Sequence, residues 1–222
     1  MSFLRKFVVT FLAFSIFISS GGYVFASNDA DPEIPVAIED LSTKQIQELA
    51  DEWSVDPEEI EELDDNLAKA FTEIEDDFRG HREVKISENL YLEERTEEIT
   101  LLNNPLEFST YSTQTRKTVS TSRLIRNRLN KVVLTLKATG VFVINGSTTS
   151  PADVYGTYDT FWWTVKVPST AKGPKVYNSW VRVSFEAKVK IGIAPIDISI
   201  NSFSTVATLN MNAKGSFTST WR

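Results

Sequence analysis

Cysteine is absent from all 222 residues of the chain. Its absence excludes disulfide bonds, thiolate zinc sites, cysteine nucleophiles and a lipid anchor on cysteine. A chain near this length does not need disulfides, because it is expected to bury about 70% of the surface that its unfolded form exposes. Exported proteins free of cysteine are typical of Gram-positive bacteria, so a bacterial extracellular protein is expected.

Histidine is nearly absent too, with His81 as the one example. A hydrolytic triad would have to use it, and no partnered nucleophile is indicated nearby. The sequence places His81 at the end of an acidic helix, where a positive imidazole stabilises the helix dipole. The enzymatic alternative is a glycosidase-type hydrolase that uses Asp153 and Asp159. We predict a non-enzymatic protein with no catalytic residues, no cofactor and no metal site.

Positive charge is scarce in the first half of the chain and negative charge is scarce in the second. Residues 27–107 carry 26 acidic residues against 6 Lys and Arg. Residues 108–222 carry 15 Lys and Arg against 4 acidic residues. The overall net charge of −7 is therefore the sum over an acidic segment and a basic segment that follows it.

The first 26 residues have the features of a secretory signal peptide. Arg5 and Lys6 precede the apolar run 7–18, and Val24-Phe25-Ala26 matches the small-x-small cleavage pattern. We predict cleavage after Ala26 and an extracellular location. The alternative is an uncleaved membrane anchor over residues 7–25, which two glycines and three serines interrupt.

The acidic segment is predicted to be helical. A disordered acidic leader covers residues 27–40, and an acidic helical segment covers residues 41–104. Ser42 and Gln45 form a capping box for a helix over Thr43–Trp53. Asp56-Pro57 begins a second amphipathic helix of 22 residues that Gly80 ends. Its outer face is anionic, so nucleic acid is excluded as a partner. Residues 83–102 fit either a strand or a helix.

The basic segment is predicted to be all β. Residues 105–117 form a linker or an edge strand, and residues 118–222 form a basic all-β domain. Period-2 alternation is clearest from Val181 to Ile193. The fold class is α+β, in which the acidic helical segment precedes an antiparallel sandwich or barrel. The helix needs an apolar cover, so we expect it to dock on this domain by hydrophobic burial, with opposite charges steering it.

Cations and aromatic rings on the polar faces of these strands are the candidate ligand contacts. If their strands are neighbours, Lys137 and Lys188 form one basic stripe with other cations. In Phe161-Trp162-Trp163 one face must carry an outward ring, which either contacts a ligand or is covered by the helices. The candidate set is Lys137, Trp162, Trp163, Lys166, Arg182, Lys188 and Lys190.

Three functions fit this pattern. The leading hypothesis is a secreted binding protein whose basic, aromatic-rich β domain contacts an anionic cell-wall polymer, a glycan or an anionic membrane surface. The alternative is a secreted precursor in which the acidic segment masks a cationic, membrane-active or antimicrobial β domain until proteolysis. The third is a matrix or fibre subunit, because long strands pair along exposed edges.

Overall fold

Strands make up most of the chain that the structure describes. The computed structural model describes residues 35–36, 38, 41–74, 77–102, 114–160, 163–191 and 198–222. The predicted signal peptide and most of the predicted acidic leader lie outside these residues. The elements are β1 (Pro35–Val36), α1 (Thr43–Trp53), α2 (Pro57–Glu61), α3 (Leu63–Thr72), β2 (His81–Lys85), β3 (Leu90–Leu102), β4 (Thr115–Asn127), β5 (Val132–Ile144), β6 (Thr149–Thr160), β7 (Trp163–Lys172), β8 (Asn178–Ile191), β9 (Ile198–Asn212) and β10 (Phe217–Trp221).

Two antiparallel sheets form a sandwich-like arrangement. The N-terminal sheet has the order β2-β3-β4-β5-β6. The C-terminal sheet has the order β1-β9-β8-β7, and β10 also pairs with β9. All these pairs are antiparallel except the short parallel pair of β1 with β9. The prediction of a mostly antiparallel β-rich fold is confirmed.

The inward faces of the two sheets form one core with the helices. On β8, Val181, Val183 and Phe185 are buried, whereas Arg182 and Glu186 on the opposite face of the strand are exposed. This is the period-2 pattern of a strand with one face in a core. The two sheets are in close contact at Gly156, where an added Cβ would lie 2.6 Å from a Val183 methyl carbon.

The first predicted helix is confirmed and the second is shorter than predicted. Helix α1 covers Thr43–Trp53, and its capping box joins Ser42 to Gln45. Asp56 caps α2, but α2 ends at Glu61 and α3 ends at Thr72, so the uninterrupted 22-residue helix was wrong. Tertiary pairing explains the difference, because the backbone of Phe78 exchanges hydrogen bonds with Ser219 of β10.

The expected helical segment also contains two strands. Residues 81–85 and 90–102 form β2 and β3, and β3 pairs along its length with β4 of the basic segment. The expected position of His81 at a helix end is therefore wrong, because it is the first residue of β2. Contacts group residues 33–222 into one unit.

Helices α1 and α3 pack against aromatic side chains of β7 and β9. The Trp53 ring stacks on Trp163 of β7 with ring centroids 5.9 Å apart, and Phe71 contacts Phe203 of β9 at 5.1 Å. The Asn127 amide also donates a 2.6 Å hydrogen bond to the Trp53 carbonyl. None of the helices in the described residues is both long and apolar enough to cross a membrane.

Candidate binding surface

The carboxylates of strand β3 neutralise nearby cations, several of which belong to the basic segment. Its four carboxylates pair with partners from β2, from the residues just before β2, from β4, from β5 or from its own strand. Glu93 pairs with His81, Arg95 and Arg126; Glu94 with Arg82 and Arg123; Glu97 with Lys137; and Glu98 with Arg79 and Lys117. The two halves of opposite charge therefore meet inside one sheet.

One of these pairs lies between the two sheets. Glu94 is fully buried and Arg123 is 3% exposed. The Arg123 guanidinium donates to Glu94 at 2.8 Å from Nε and 2.6 Å from Nη2, and to the Thr205 hydroxyl at 3.1 Å. It also lies over the rings of Phe71 and Trp221. Burial lowers the pKa of Arg123, and the Glu94 charge opposes that shift. These contacts on every side make the pair a structural element.

Glu93 forms the corresponding cluster on the opposite face of β3. Its carboxylate is 1% exposed and accepts hydrogen bonds from Arg95 and Arg126, and His81 Nε2 lies 2.6 Å from it. Burial opposes ionisation of the carboxyl, but these cations outweigh it, so the pKa of Glu93 lies below its ordinary value. His81 Nε2 therefore contacts a buried carboxylate of the sheet.

The acidic faces of the helices make little use of charge in docking. Among the described residues, the one ion pair that involves a helix carboxylate joins Lys44 to Glu48 within α1. Lys131 reaches the helix through a 2.6 Å hydrogen bond to the Glu52 backbone carbonyl. Docking therefore depends on buried apolar side chains and on hydrogen bonds, which include those that the buried Glu59 carboxylate of α2 accepts from Ser87 and Asn89.

Three of the predicted contact residues share the outward face of the C-terminal sheet. Lys166 on β7 and Arg182 on β8 are exposed, and Lys188 on β8 is half-buried. In the register of the pair, Lys166 stands opposite Glu186, and Thr164 stands opposite Lys188. None of the ion pairs between described side chains includes any of the three cations. We name Lys166, Arg182 and Lys188 the basic face.

The predicted basic stripe through Lys137 is wrong. Lys137 lies on β5 in the N-terminal sheet, and its ammonium contacts Glu97 at 2.7 Å. The stripe required neighbouring strands, but β5 and β8 belong to different sheets of the sandwich. Lys190 is on β8 with its backbone paired to Ser199. Trp162 lies outside the described residues.

Trp163 is not an exposed contact residue. Its side chain is 5% exposed, and it lies between Trp53 and Phe203, whose ring centroid is 5.5 Å away. Trp163 shares the buried face of β7 with Val165, so it is not the outward ring, and its indole packs against α1.

The structure adds Trp180, which the sequence did not single out as a contact residue. Its ring lies beside Gly173, where an added Cβ would lie 2.8 to 2.9 Å from three indole atoms. The Arg182 guanidinium carbon lies 4.4 Å from the ring centroid. The i, i+2 spacing of an aromatic and an arginine on the polar face of a strand was the available signal.

The carboxylates of the glycosidase alternative are far apart. Asp153 and Asp159 lie six residues apart on β6, which places them about 20 Å apart along an extended strand. Paired glycosidase carboxylates are separated by about 5 to 9.5 Å. The part of the chain that the structure describes also contains no group of three or more potential metal ligands.

The combined chemistry is that of a surface for anions. An outward sheet face carries cations with little opposing charge, and the ion pairs of the other sheet are internally satisfied. No protein-family model, curated protein or solved structure matches this chain.

Proposed function

We propose that this protein is a secreted, non-enzymatic binding protein whose basic face contacts an anionic or glycan-containing surface of the cell envelope. The observation that supports the proposal is the contrast between the two sheets. Most Lys and Arg side chains of the N-terminal sheet pair with β3 carboxylates, whereas Lys166, Arg182 and Lys188 face outward on the other sheet with Glu186 as the acidic neighbour on β8.

The geometry suits an extended ligand better than a small one. Alternate residues on a strand recur about every 6.6 Å on the same face, so Arg182 and Lys188 are about 20 Å apart. Cations at this spacing contact successive charges of a polymer or a membrane surface. Binding of this kind is expected to weaken at high salt, because exposed charges are screened.

The test compares two triple variants of equal charge. The first carries Lys166→Gln, Arg182→Gln and Lys188→Gln. The control carries Arg116→Gln, Arg128→Gln and Lys137→Gln, which remove three positive charges on or beside the N-terminal sheet. Co-sedimentation with purified bacterial cell walls, phosphatidylglycerol liposomes and chitin gives the dissociation constants at low and high salt.

We expect the first variant to bind about tenfold more weakly, because three exposed ionic contacts contribute about 0.5 kcal/mol each. The control should remain within about twofold of the unchanged protein. Equal losses in the two variants would mean that net charge, and not this face, governs binding. No binding to any of the three materials would refute the proposal.

The precursor hypothesis has less support from the fold. Removal of the acidic segment would take away β3, which pairs with β4 over Leu90–Leu102, and would uncover the ring of Trp163. The remaining strands would lose their partner and part of their core. Mass spectrometry of the secreted protein tests this point: an intact product that begins at Ser27 excludes processing.

A further inference from the structure

We propose that Trp180 and Arg182 form a bidentate binding site for a phosphodiester group within the basic face. This inference rests on the proposed function and names the chemistry that one part of the surface recognises. Its distinctive element is an arginine in contact with the face of an aromatic ring, which a general cationic surface does not require.

Gly173 and the hairpin fix the position of the Trp180 ring. The Gly173 amide donates a 2.7 Å hydrogen bond to the Trp180 carbonyl, which closes the end of the β7–β8 pair. A Cβ at residue 173 would lie under 3.0 Å from Nε1, Cδ1 and Cε2 of the indole. Glycine therefore lets the ring lie against the backbone, and the ring is half-buried there.

The contact with the indole leaves the N–H donors of Arg182 available. The guanidinium carbon lies 4.4 Å from the ring centroid, and the side chain as a whole is exposed. A cation–π contact is electrostatic and does not require the five N–H groups of the guanidinium as hydrogen-bond donors. Within the described residues no hydrogen bond or ion pair of the Arg182 side chain is found, so these donors face solvent.

Polar side chains of β9 complete the site. Thr208 stands opposite Arg182, and Asn210 stands opposite Trp180. Opposite residues on one sheet face have Cβ atoms about 5 Å apart, so both side chains lie within reach of a group held by the arginine. The acidic residue on β8, Glu186, is four residues along the strand, which is about 13 Å.

This donor arrangement favours a phosphodiester over a carboxylate. Both groups offer two oxygens that match the arginine fork. A carboxylate holds all its oxygens in one plane, whereas the tetrahedral phosphodiester directs further oxygens out of that plane toward the second strand. The hydroxyl of Thr208 and the amide of Asn210 are donors suited to those oxygens.

The central variant is Arg182→Lys, which keeps the positive charge and removes the pair of parallel N–H donors of the guanidinium. The matched control is Arg116→Lys, the same exchange at an exposed position of the N-terminal sheet. Isothermal titration with soluble poly(glycerol phosphate), with phosphatidylglycerol liposomes and with polyglutamate compares a phosphodiester polymer, a phosphodiester membrane and a carboxylate polymer.

We expect Arg182→Lys to weaken binding to the phosphodiester probes about tenfold, the size of one lost charge-assisted hydrogen bond, and to weaken polyglutamate binding less, because a planar carboxylate makes fewer contacts at the site. Binding to the polymer but not to liposomes would identify a soluble source of the group, and the reverse would identify a membrane. Equal affinity of the unchanged protein for polyglutamate and poly(glycerol phosphate) would overturn the inference.

Trp180→Leu tests the positioning role of the ring. We expect a lower ratio of phosphodiester to polyglutamate affinity without a matching loss of thermal stability, which a merely structural role would not produce. If Arg182→Lys has no effect while the triple Gln variant still loses binding, the phosphodiester site is refuted and the proposed function stands. If neither changes binding, both fail.

Discussion

The buried pair of Glu94 and Arg123 makes the sharpest test of how this sandwich is stabilised. Glu94→Gln keeps the side-chain shape and removes the charge. Arg123 then stays in the core at 3% exposure without the carboxylate that its Nε and Nη2 contact. Arg82, which lies 2.7 Å from the same carboxylate, adds like charge nearby.

The expected cost of Glu94→Gln is about 3–5 kcal/mol, because removal of one partner leaves an uncompensated buried charge. Arg123→Met should cost less, about 1–3 kcal/mol, since Glu94 keeps its contact with Arg82 and an apolar chain replaces the stem of the arginine. The double variant should cost less than the sum of the two single changes, because the charges compensate each other.

Urea denaturation followed by tryptophan fluorescence gives these free energies of unfolding. A cost of 3–5 kcal/mol corresponds to a lower melting temperature by about 6–20 °C for a chain of this size. Glu97→Gln on the same strand is the control, because Glu97 is 61% exposed in its pair with Lys137 and should cost at most about 1 kcal/mol. A cost for Glu94→Gln below that of Arg123→Met would refute the reasoning.

Three further changes test the core and the charge cluster. Trp53→Ala removes a fully buried ring that stacks on Trp163, and should cost about 3–5 kcal/mol in urea denaturation and expose the Trp163 indole to fluorescence quenchers. Gly156→Ala places a Cβ 2.6 Å from a Val183 methyl carbon, and should cost about 1–3 kcal/mol in thermal melts. Glu93→Gln should reduce the loss of stability on acidification, measured by melting temperature between about pH 6 and pH 3.

The sign of the Glu93 effect follows from its lowered pKa. A carboxyl whose pKa is lower in the folded state than in the unfolded state stabilises the folded state at pH values above its unfolded-state pKa. This stabilisation is lost as the pH falls through the folded-state pKa. The loss therefore begins near the ordinary value of 4.5. Parallel pH profiles for Glu93→Gln and the unchanged protein would contradict this assignment.

Controls for the two core changes lie on exposed positions. Thr157→Ala, beside Gly156 on β6, should leave the melting temperature nearly unchanged. Glu48→Ala on the exposed face of α1 should do the same. Wild-type stability in Gly156→Ala would mean that the sheets separate there at no cost, and wild-type stability in Trp53→Ala would mean that α1 does not contribute to the core.

Local signals predicted the elements that depend on local chemistry. Ser42 and Gln45 cap α1 where expected, and Asp56 begins α2, because capping groups act within three residues. The alternation along β8 also marked its buried face correctly. The predicted helix that ran to Phe78 failed because a distant strand offered its backbone a different partner.

The candidate surface was predicted in part. Lys166, Arg182 and Lys188 follow from the polar positions of single strands, and they share a face because β7 and β8 are neighbours. The same reasoning misplaced Lys137, since alternation assigns a residue to a face of its strand but does not assign the strand to a sheet.

The sequence by itself determined the segregation of charge, the caps of the first helices and the strands of the second half, since each depends on residues close in the chain. The tertiary structure alone decided which charges cancel. Glu94 contacts Arg123, which is 29 residues away in the sequence, and Lys137 contacts Glu97, which is 40 residues away. Strand order and register bring these residues together. Attraction between charges depends on distance in space, and that distance is set by the packing of the sheets.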